Sequence, residues 1–229
     1  REGVRLLEYC DHNMTKFPAF VAQFTNLIYL SIRGSFTTKV PEIPAEMANL
    51  IHLEDLTIRN LGLTTLCPAL ENLKKLRRFD LPNNALDGDH SNLQVLERLE
   101  SLEILVLDGN HLEAFPEGTL SGLLKLKSIS LNRNQFSCSG RRNVLPELSR
   151  LPKLREIFLD GNGIEKIEPP REGFPELIKL DLGNNELSAI PANVGKLAKL
   201  KWLNLEANPI FAYEEQLRED FPDTSLSFS

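Results

Sequence analysis

The chain has 229 residues, of which 41% are apolar and 25% charged, and such values are ordinary for a soluble globular protein. Its net charge of -6 argues against a general nucleic-acid binder, because these proteins usually present a basic face. No apolar run approaches the length of a membrane span, so we expect no membrane insertion.

The three cysteines, Cys10, Cys67 and Cys138, are odd in number and far apart in the sequence. This spacing is not that of a disulfide framework, so we interpret them as reduced thiols of a cytoplasmic protein. One glycosylation sequon, Asn13-Met14-Thr15, leaves an extracellular location as the alternative.

One pattern, L-x-x-L-x-L-x-x-N, recurs along the chain at spacings of 23 to 28 residues. It begins at Val4, Leu27, Leu53, Leu76, Leu102, Leu126, Leu154, Leu177 and Leu200. The L-x-L alternation has the period of two that predicts a short strand with one buried face. Upstream of the strands, apolar residues recur at three-residue steps, as in Leu96, Leu99 and Leu102, which predicts a short helix or 3₁₀ turn.

The pattern's asparagine follows each strand, where the chain turns inward and leaves buried backbone groups without ladder partners. An asparagine side chain can satisfy them because it has both donors and an acceptor. The last six repeats share this residue, which is Asn84, Asn110, Asn134, Asn162, Asn185 and Asn208. The first three repeats have His12, Ser35 and Leu61 instead, so we expect the N-terminal third to be less regular and less stable.

These repeats resemble those of leucine-rich repeat proteins across nearly the whole chain. The stretch "LSAIPANVGKLAKLKWLNLEANPI" resembles the intracellular class, whereas "AFPEGTLSGLLKLKSISLNRNQF" resembles a type common in extracellular receptors. The resemblance implies an α/β solenoid, a curved right-handed β-α superhelix with a concave parallel sheet and short helices or 3₁₀ turns on its convex side. We expect one domain over residues 1–229, with nine repeats in 1–208 and a C-terminal cap in 209–229.

The two ends of the chain differ. Ile210, Leu217 and Phe221 have helical spacing, and Leu226 and Phe228 alternate, which resembles the helix-plus-strand cap of intracellular members. The chain opens inside a repeat with no visible cap. We therefore expect it to be part of a longer chain, in which preceding residues or another domain cover this end.

The third, fifth and seventh positions of the pattern L-x-x-L-x-L-x point away from the core, onto what we call the concave face. Its apolar candidates for partner binding are Ile104, Val106, Phe158 and Trp202, with Tyr29 in an earlier repeat. Its charged candidates are a basic zone of Arg33, Arg59 and Arg78 and an acidic zone of Asp108, Glu156, Asp160, Asp181 and Glu206. An ordinary solvated surface is the alternative for the charges, but exposed aromatic groups on a sheet favour a covering partner.

Three repeats are longer than the others, and their extra residues lie in "FTTKVPE", "DGDHSN" and "SCSGRRN". We expect these insertions along one rim of the stack, where Arg141 and Arg142 would contact an acidic partner. The alternative is that loops tolerate insertions at low cost.

Enzyme motifs are not evident. Gly195-Lys196 lacks the preceding glycine of a phosphate-binding loop, and His52 and His111 do not have a metal-binding spacing. Cys10 and His12 are better explained as a structural pair. We therefore expect no catalytic residue, no metal and no cofactor.

The interpretation favoured by the sequence is a non-enzymatic, cytoplasmic scaffold that binds another protein on the concave face, by analogy with the family it resembles. Two alternatives stay open. One is the ligand-binding ectodomain of a surface receptor or a secreted protein. The other is the substrate-recognition domain of a larger enzyme or effector.

Overall fold

The computed structural model describes residues 3–137, 143–167, 173–189, 197–210, 218–219 and 222–227. Within them, ten parallel strands form one sheet in which each strand pairs with the next along the chain. The strands are β1 (Leu6–Cys10), β2 (Tyr29–Arg33), β3 (Asp55–Arg59), β4 (Arg78–Asp80), β5 (Ile104–Val106), β6 (Ser128–Ser130), β7 (Glu156–Phe158), β8 (Lys179–Asp181), β9 (Trp202–Asn204) and β10 (Ser225–Ser227). The predicted α/β repeat architecture is confirmed.

The strands pair in the register that the sequence pattern predicts. Equivalent positions lie side by side, as Leu30, Leu56 and Phe79 do on β2 to β4. These inward-facing side chains are fully buried, and they join one continuous hydrophobic core. No repeat could bury its own strand residues alone, so stacking is what stabilises each of them.

The connections on the convex side are short helical turns, as predicted. The 3₁₀ helices are Ala19–Gln23, Ala45–Asn49, Pro68–Asn72 and Leu93–Arg98, and a short α-helix, α1, spans Leu145–Leu148. Pro18 and Pro44 stand just before the first two 3₁₀ helices, and Pro68 opens the third. Proline suits these positions because the first N–H of a helix has no partner to lose.

The conserved place of asparagine in the last six repeats corresponds to a ladder of buried hydrogen bonds. Asn84 shows the arrangement: its Oδ1 accepts from the N–H groups of Leu61 and Leu63 at 3.1 and 3.2 Å. Its Nδ2 donates to the carbonyl oxygens of Ile58 and Leu81 at 2.9 and 3.0 Å. Asn84 therefore joins its own turn to the turn of the preceding repeat. The other five asparagines make equivalent bonds.

The second repeat has a partial substitute for this asparagine. The Ser35 hydroxyl donates to the His12 carbonyl oxygen at 3.0 Å, which links the first two turns by one bond. Leu61 cannot make such a bond, and its own N–H is satisfied by Asn84 of the following repeat. At this position, therefore, asparagine ties two turns by several bonds, serine ties them by one, and the leucine side chain forms no hydrogen bond.

The ends of the sheet are unequal. Leu6 on β1, at a third position on the concave face, is 69% exposed. The inward-facing Leu7 and Tyr9 are only partly buried because β1 has a neighbouring strand on one side only. At the other end, β10 pairs with β9, and Leu226 packs against the core, as expected for the strand of a cap. The predicted cap helix, with Leu217 and Phe221, lies outside the described residues, as does Phe228.

The first two insertions lie on the same rim, where they flank residues 61–66. The Val40 N–H donates to the Leu61 carbonyl oxygen at 2.8 Å, and the Leu66 N–H donates to the Ser91 carbonyl oxygen at 2.9 Å. The third insertion, with Arg141 and Arg142, lies outside the described residues.

Candidate recognition surface on the sheet

The concave face consists of three rows of side chains that cross the strands. In the fifth-position row, Phe158 lies between Ser130 and Asp181, and Val106 lies between Asp80 and Ser130. The register therefore places Val106 and Phe158 on either side of a single small residue.

Ile104, Val106 and Phe158 form one apolar group, which we call the apolar patch. All three are half-buried, and the strand between them contributes only Ser128 and Ser130 to this face. Because neighbouring strands lie about 4.8 Å apart, Val106 and Phe158 are two strand spacings, about 10 Å, from each other. Ser128 and Ser130 of β6 therefore separate the two apolar residues of β5 from Phe158 on β7.

Trp202 lies further along the same face. It is half-buried on β9, two strands from Phe158, and it occupies the third-position row beside Lys179. The sequence predicts that Phe158 and Trp202 lie two strands, about 10 Å, apart across the sheet, and the register adds an offset of two residues along the strands. Tyr29 is remote from both, beside Leu6 and Asp55.

Most members of the acidic zone are hydrogen-bonded along the sheet. Asp108 Oδ1 accepts from the Ser130 hydroxyl at 2.7 Å and from the Asn132 N–H at 2.8 Å. Burial raises the pKa of Asp108 above its ordinary value, and these two bonds act in the opposite direction. Asp108 is thus a half-buried acceptor on the scaffold, not a freely solvated charge.

Other acidic residues further along the stack also have partners on the scaffold. Asp181 Oδ1 accepts from Asn204 Nδ2 at 2.9 Å, and burial likewise raises the pKa of Asp181. Asp160 Oδ2 accepts from Asn184 Nδ2 at 2.7 Å. Glu206 and the Ser227 hydroxyl are hydrogen-bonded, and Glu156 pairs with Lys179 at 3.0 Å.

One of the three arginines of the predicted basic zone has a partner on its own strand. Arg78 donates two hydrogen bonds to Asp80 Oδ2, at 2.9 Å from Nε and 2.8 Å from Nη2, so its charge is offset in place. Arg33 and Arg59 lie side by side at the carboxyl ends of β2 and β3, and both are exposed. Neither has an ion pair within the part of the chain that the structure describes.

Two acidic residues of this surface were not among the predicted site residues. Asp55 and Asp80 each have a buried Oδ1 without a hydrogen-bond partner among the described residues. Burial raises the pKa of Asp55, which Arg78 lowers and Asp80 raises further. The signal was available, because Arg78 and Asp80 are two apart on one strand and must share a face.

Metal-binding and membrane-spanning features were sought among the described residues. They contain no group of three or more His, Cys, Asp or Glu side chains that could hold a metal ion. Cys10 Sγ lies 3.9 Å from His12 Nε2, and both residues are in exposed positions or turns at the edge of the sheet. No helix of the described ranges is long and apolar enough to span a membrane.

Comparisons with known proteins agree with this geometry. The family model described as "Leucine-rich repeat region" matches residues 4–210. Keratocan of Danio rerio is 34% identical over 198 residues, which are 81% of this chain and 52% of that protein. Tubulin-specific chaperone E of Homo sapiens is 28% identical over 156 residues, which are 63% of this chain and 28% of that protein.

A solved structure extends the similarity to the whole fold. The leucine-rich repeat domain of the type III effector XopL has a TM-score of 0.75 at 23% identity, over 100% of this chain and 77% of that one. The chain spans 52%, 24% and 44% of three curated relatives that it matches, Keratocan, Podocan-like protein 1 and Osteomodulin.

Proposed function

This chain belongs to the leucine-rich repeat family, and we propose that it is a non-catalytic module that binds a partner protein on its concave face. Leucine-rich repeat domains mediate protein–protein interaction. The observation that supports this face is the apolar patch together with Trp202, on a sheet surface whose polar neighbours are largely satisfied within the scaffold. We further propose that residues 1–229 act as one domain, nine repeats and a cap, within a longer chain.

Phe158 and Trp202 are the residues from which we expect most of the binding energy. Interfaces concentrate energy in a few buried aromatic and arginine side chains. A half-buried aromatic group is already held by its scaffold, so less conformational entropy is lost when a partner covers it. Ile104 and Val106 extend the contact surface beyond the two serines of β6. Tyr29 lies too far along the stack to belong to the same contact.

Charge supports an approach with a defined orientation. Arg33 and Arg59 stand exposed at one end of the concave face, while Asp160 and Glu206 lie toward the other. A partner with the opposite arrangement would be guided into one orientation, an effect on the association rate that salt weakens.

We propose a cytoplasmic location. The relatives include both extracellular matrix proteins and a cytosolic tubulin chaperone, so similarity leaves both compartments open. Cys10 and Cys67 are free thiols, which suits a reducing compartment. Asn13 of the sequon is exposed, so an N-linked glycan on Asn13 in the native protein would establish the extracellular alternative.

The test compares binding with stability. Phe158→Ala and Trp202→Ala should each weaken binding to partners recovered from source cells by about 2 kcal/mol, or about 30-fold in Kd, with little change in melting temperature. Leu124→Ala is the matched control, because Leu124 is 56% exposed and lies outside the concave face. Unchanged Kd values in both aromatic variants would place the binding site elsewhere.

A further inference from the structure

A cavity opens on the rim of the stack, beside the sheet and separate from the apolar patch. Its volume is about 750 Å³, within the range of ligand sites in proteins. Loops that follow four consecutive strands line it, from residues 35–41 after β2 to Gly109 after β5. The first insertion therefore forms one wall of this cavity.

The insertion presents an aromatic side chain and is held firmly. Phe36 lines the cavity and is 86% exposed. On one side of it, the Ser35 N–H donates to Thr38 Oγ1 at 2.9 Å. On the other, the N–H and hydroxyl of Thr64 donate to the Pro41 carbonyl oxygen at 2.9 and 3.3 Å. Phe36 is thus an exposed apolar group on a well-bonded loop, and a ligand that packs on its ring would remove that apolar surface from water.

The opposite wall holds a buried polar group with no partner. Asn60 lines the cavity and is 7% exposed, and its Oδ1 has no hydrogen bond within the described residues. Asn84, which lines the cavity from the loop after β4, has hydrogen bonds at both its Oδ1 and its Nδ2. A buried acceptor without a donor is destabilising, and the last torsion of an asparagine turns readily, so a donor in the cavity can complete this bond.

The backbone brings the two walls together. A Cβ on Gly34 would lie only 2.5 Å from the Asn60 carbonyl oxygen, so the close approach of the loops after β2 and β3 requires glycine there.

The charge around the cavity is positive. The lining contains Lys39 and no carboxylate. Arg33 and Arg59, neither of which has an ion pair among the described residues, end the strands directly before Gly34 and Asn60. An occupant with carboxylates beside an apolar body would be complementary to all of these groups.

We propose that this rim cavity binds an acidic segment of a partner protein through one aromatic side chain that carries a hydrogen-bond donor, tryptophan or tyrosine. The ring packs against Phe36, its N–H or O–H donates to Asn60 Oδ1, and flanking carboxylates pair with Arg33, Arg59 and Lys39. Buried tryptophan and tyrosine usually need such a partner for their polar atom. This site is independent of Phe158 and Trp202, and it rests on the proposed function only in taking a polypeptide.

The test uses three peptides followed by backbone amide shifts in ¹⁵N-labelled protein. They are N-acetyl-Glu-Trp-Glu-amide, its 1-methyltryptophan analogue, which lacks the indole N–H, and N-acetyl-Lys-Trp-Lys-amide. The first should shift amides of residues 35–40 and 60–64. The analogue should bind about fivefold more weakly because one hydrogen bond is lost, and the lysine peptide about tenfold more weakly.

Three variants assign these effects. Asn60→Gly suits the positive φ of 56° at this residue, so it should keep the melting temperature while removing the difference between the tryptophan and 1-methyltryptophan peptides. Phe36→Ala should weaken both of these peptides, and Phe158→Ala should change neither. Equal binding of all three peptides to the wild type, or shifts outside the rim loops, would overturn the proposal whatever happens at the concave face.

Discussion

The first three repeats and the six that follow build one sheet with different turns. Strands β1 to β3 have five residues each, whereas β4 to β9 have three. In the later repeats the pattern's asparagine turns the chain by binding a carbonyl oxygen near the strand end, as Asn110 binds that of Leu107 at 2.9 Å. The earlier repeats lack this side chain and continue extended through Cys10, Arg33 and Arg59. The bonds between neighbouring repeats nevertheless reach equally far in both regions, since the Asp11 N–H donates to the Arg33 carbonyl oxygen and the Asn83 N–H to the Asp108 carbonyl oxygen.

The difference also decides what happens to charge. In the early repeats the seventh position is still on a strand, so Arg33 and Arg59 project into solvent. In the later repeats the same position lies in the turn, and Asp108 bonds to Ser130 on the next strand. The first three repeats therefore present cations without ion pairs among the described residues, and the later repeats hold anions such as Asp108 by hydrogen bonds within the scaffold.

The largest effect should come from the core that both regions share. Leu131 is 0% exposed, so Leu131→Ala should lower the free energy of unfolding by about 2–5 kcal/mol through lost burial and a residual cavity. Leu124→Ala, at 56% exposure, is the control and should stay within about 0.5 kcal/mol. Denaturant titration measures both, and equal losses would contradict the shared core.

The next effect contrasts the two kinds of turn. Asn134 bonds to the Leu112 N–H and to the carbonyl oxygens of Leu107 and Leu131. Asn134→Ala should cost about 1–3 kcal/mol for each buried group that finds no other partner. Ser35→Ala removes fewer and more exposed bonds and should cost about 0.5–1.5 kcal/mol. If urea titration gave the serine variant the larger loss, the asparagine ladder would not be what distinguishes the regions.

Hydrogen exchange should reveal the same contrast without mutation. Amides of β1 and β2 should open more easily than those of β5 to β8, because the first turns have fewer ties between repeats. We expect protection about tenfold lower or more, equivalent to about 1.4 kcal/mol. Uniform protection along the sheet, measured by mass spectrometry at constant pH, would remove the stability difference that we predict.

The smallest effect concerns the anions held in the later turns. Burial raises the folded-state pKa of Asp108 above its ordinary 3.8, so its stabilising contribution is present below the unfolded pKa and is lost as pH rises through the folded pKa. Asp108→Asn keeps the Oδ1 acceptor without the charge and should melt higher than the wild type at pH 7. This advantage should shrink as the pH falls toward 4.

The exposed cation Arg59 provides the control for that comparison. Arg59→Gln should leave the melting temperature nearly unchanged across the same pH range, since its guanidinium has no ion pair among the described residues. An Asp108→Asn advantage that stayed constant from pH 7 to 4 would indicate a cause other than ionisation.

The sequence predicts the fold well because every repeat contains the same pattern of apolar residues. The alternation at Leu30 and Ile32 specifies β2, and eight similar segments specify its neighbours in register. The hydrogen bonds of the asparagines could be predicted too, because asparagine recurs at one position of that pattern. These features are local or periodic, so a single sequence contains them.

The candidate sites were harder to predict from the sequence because they depend on contacts between repeats. Phe36 and Asn60 are 24 residues apart, and only the stacking of two loops brings them to one cavity. Asn60 also stands one place before the pattern's asparagine position, so the pattern does not mark it. Likewise, the bond between Asp108 and Ser130 depends on side-chain direction in a turn, which periodicity does not specify.

The asparagine ladder has a further consequence for building new proteins from this chain. Asn134 completes the turn of the preceding repeat, which contains Leu112. A transplanted repeat therefore brings the asparagine that closes its neighbour's turn, and its own turn is closed by the asparagine of the repeat that follows. The unit that can be exchanged is therefore offset from the sequence repeat: it runs from the middle of one turn to the middle of the next. A junction within a strand separates a turn from its asparagine, as one in β6 would separate Leu112 from Asn134, so such chimaeras should fold only where the incoming residue is again asparagine.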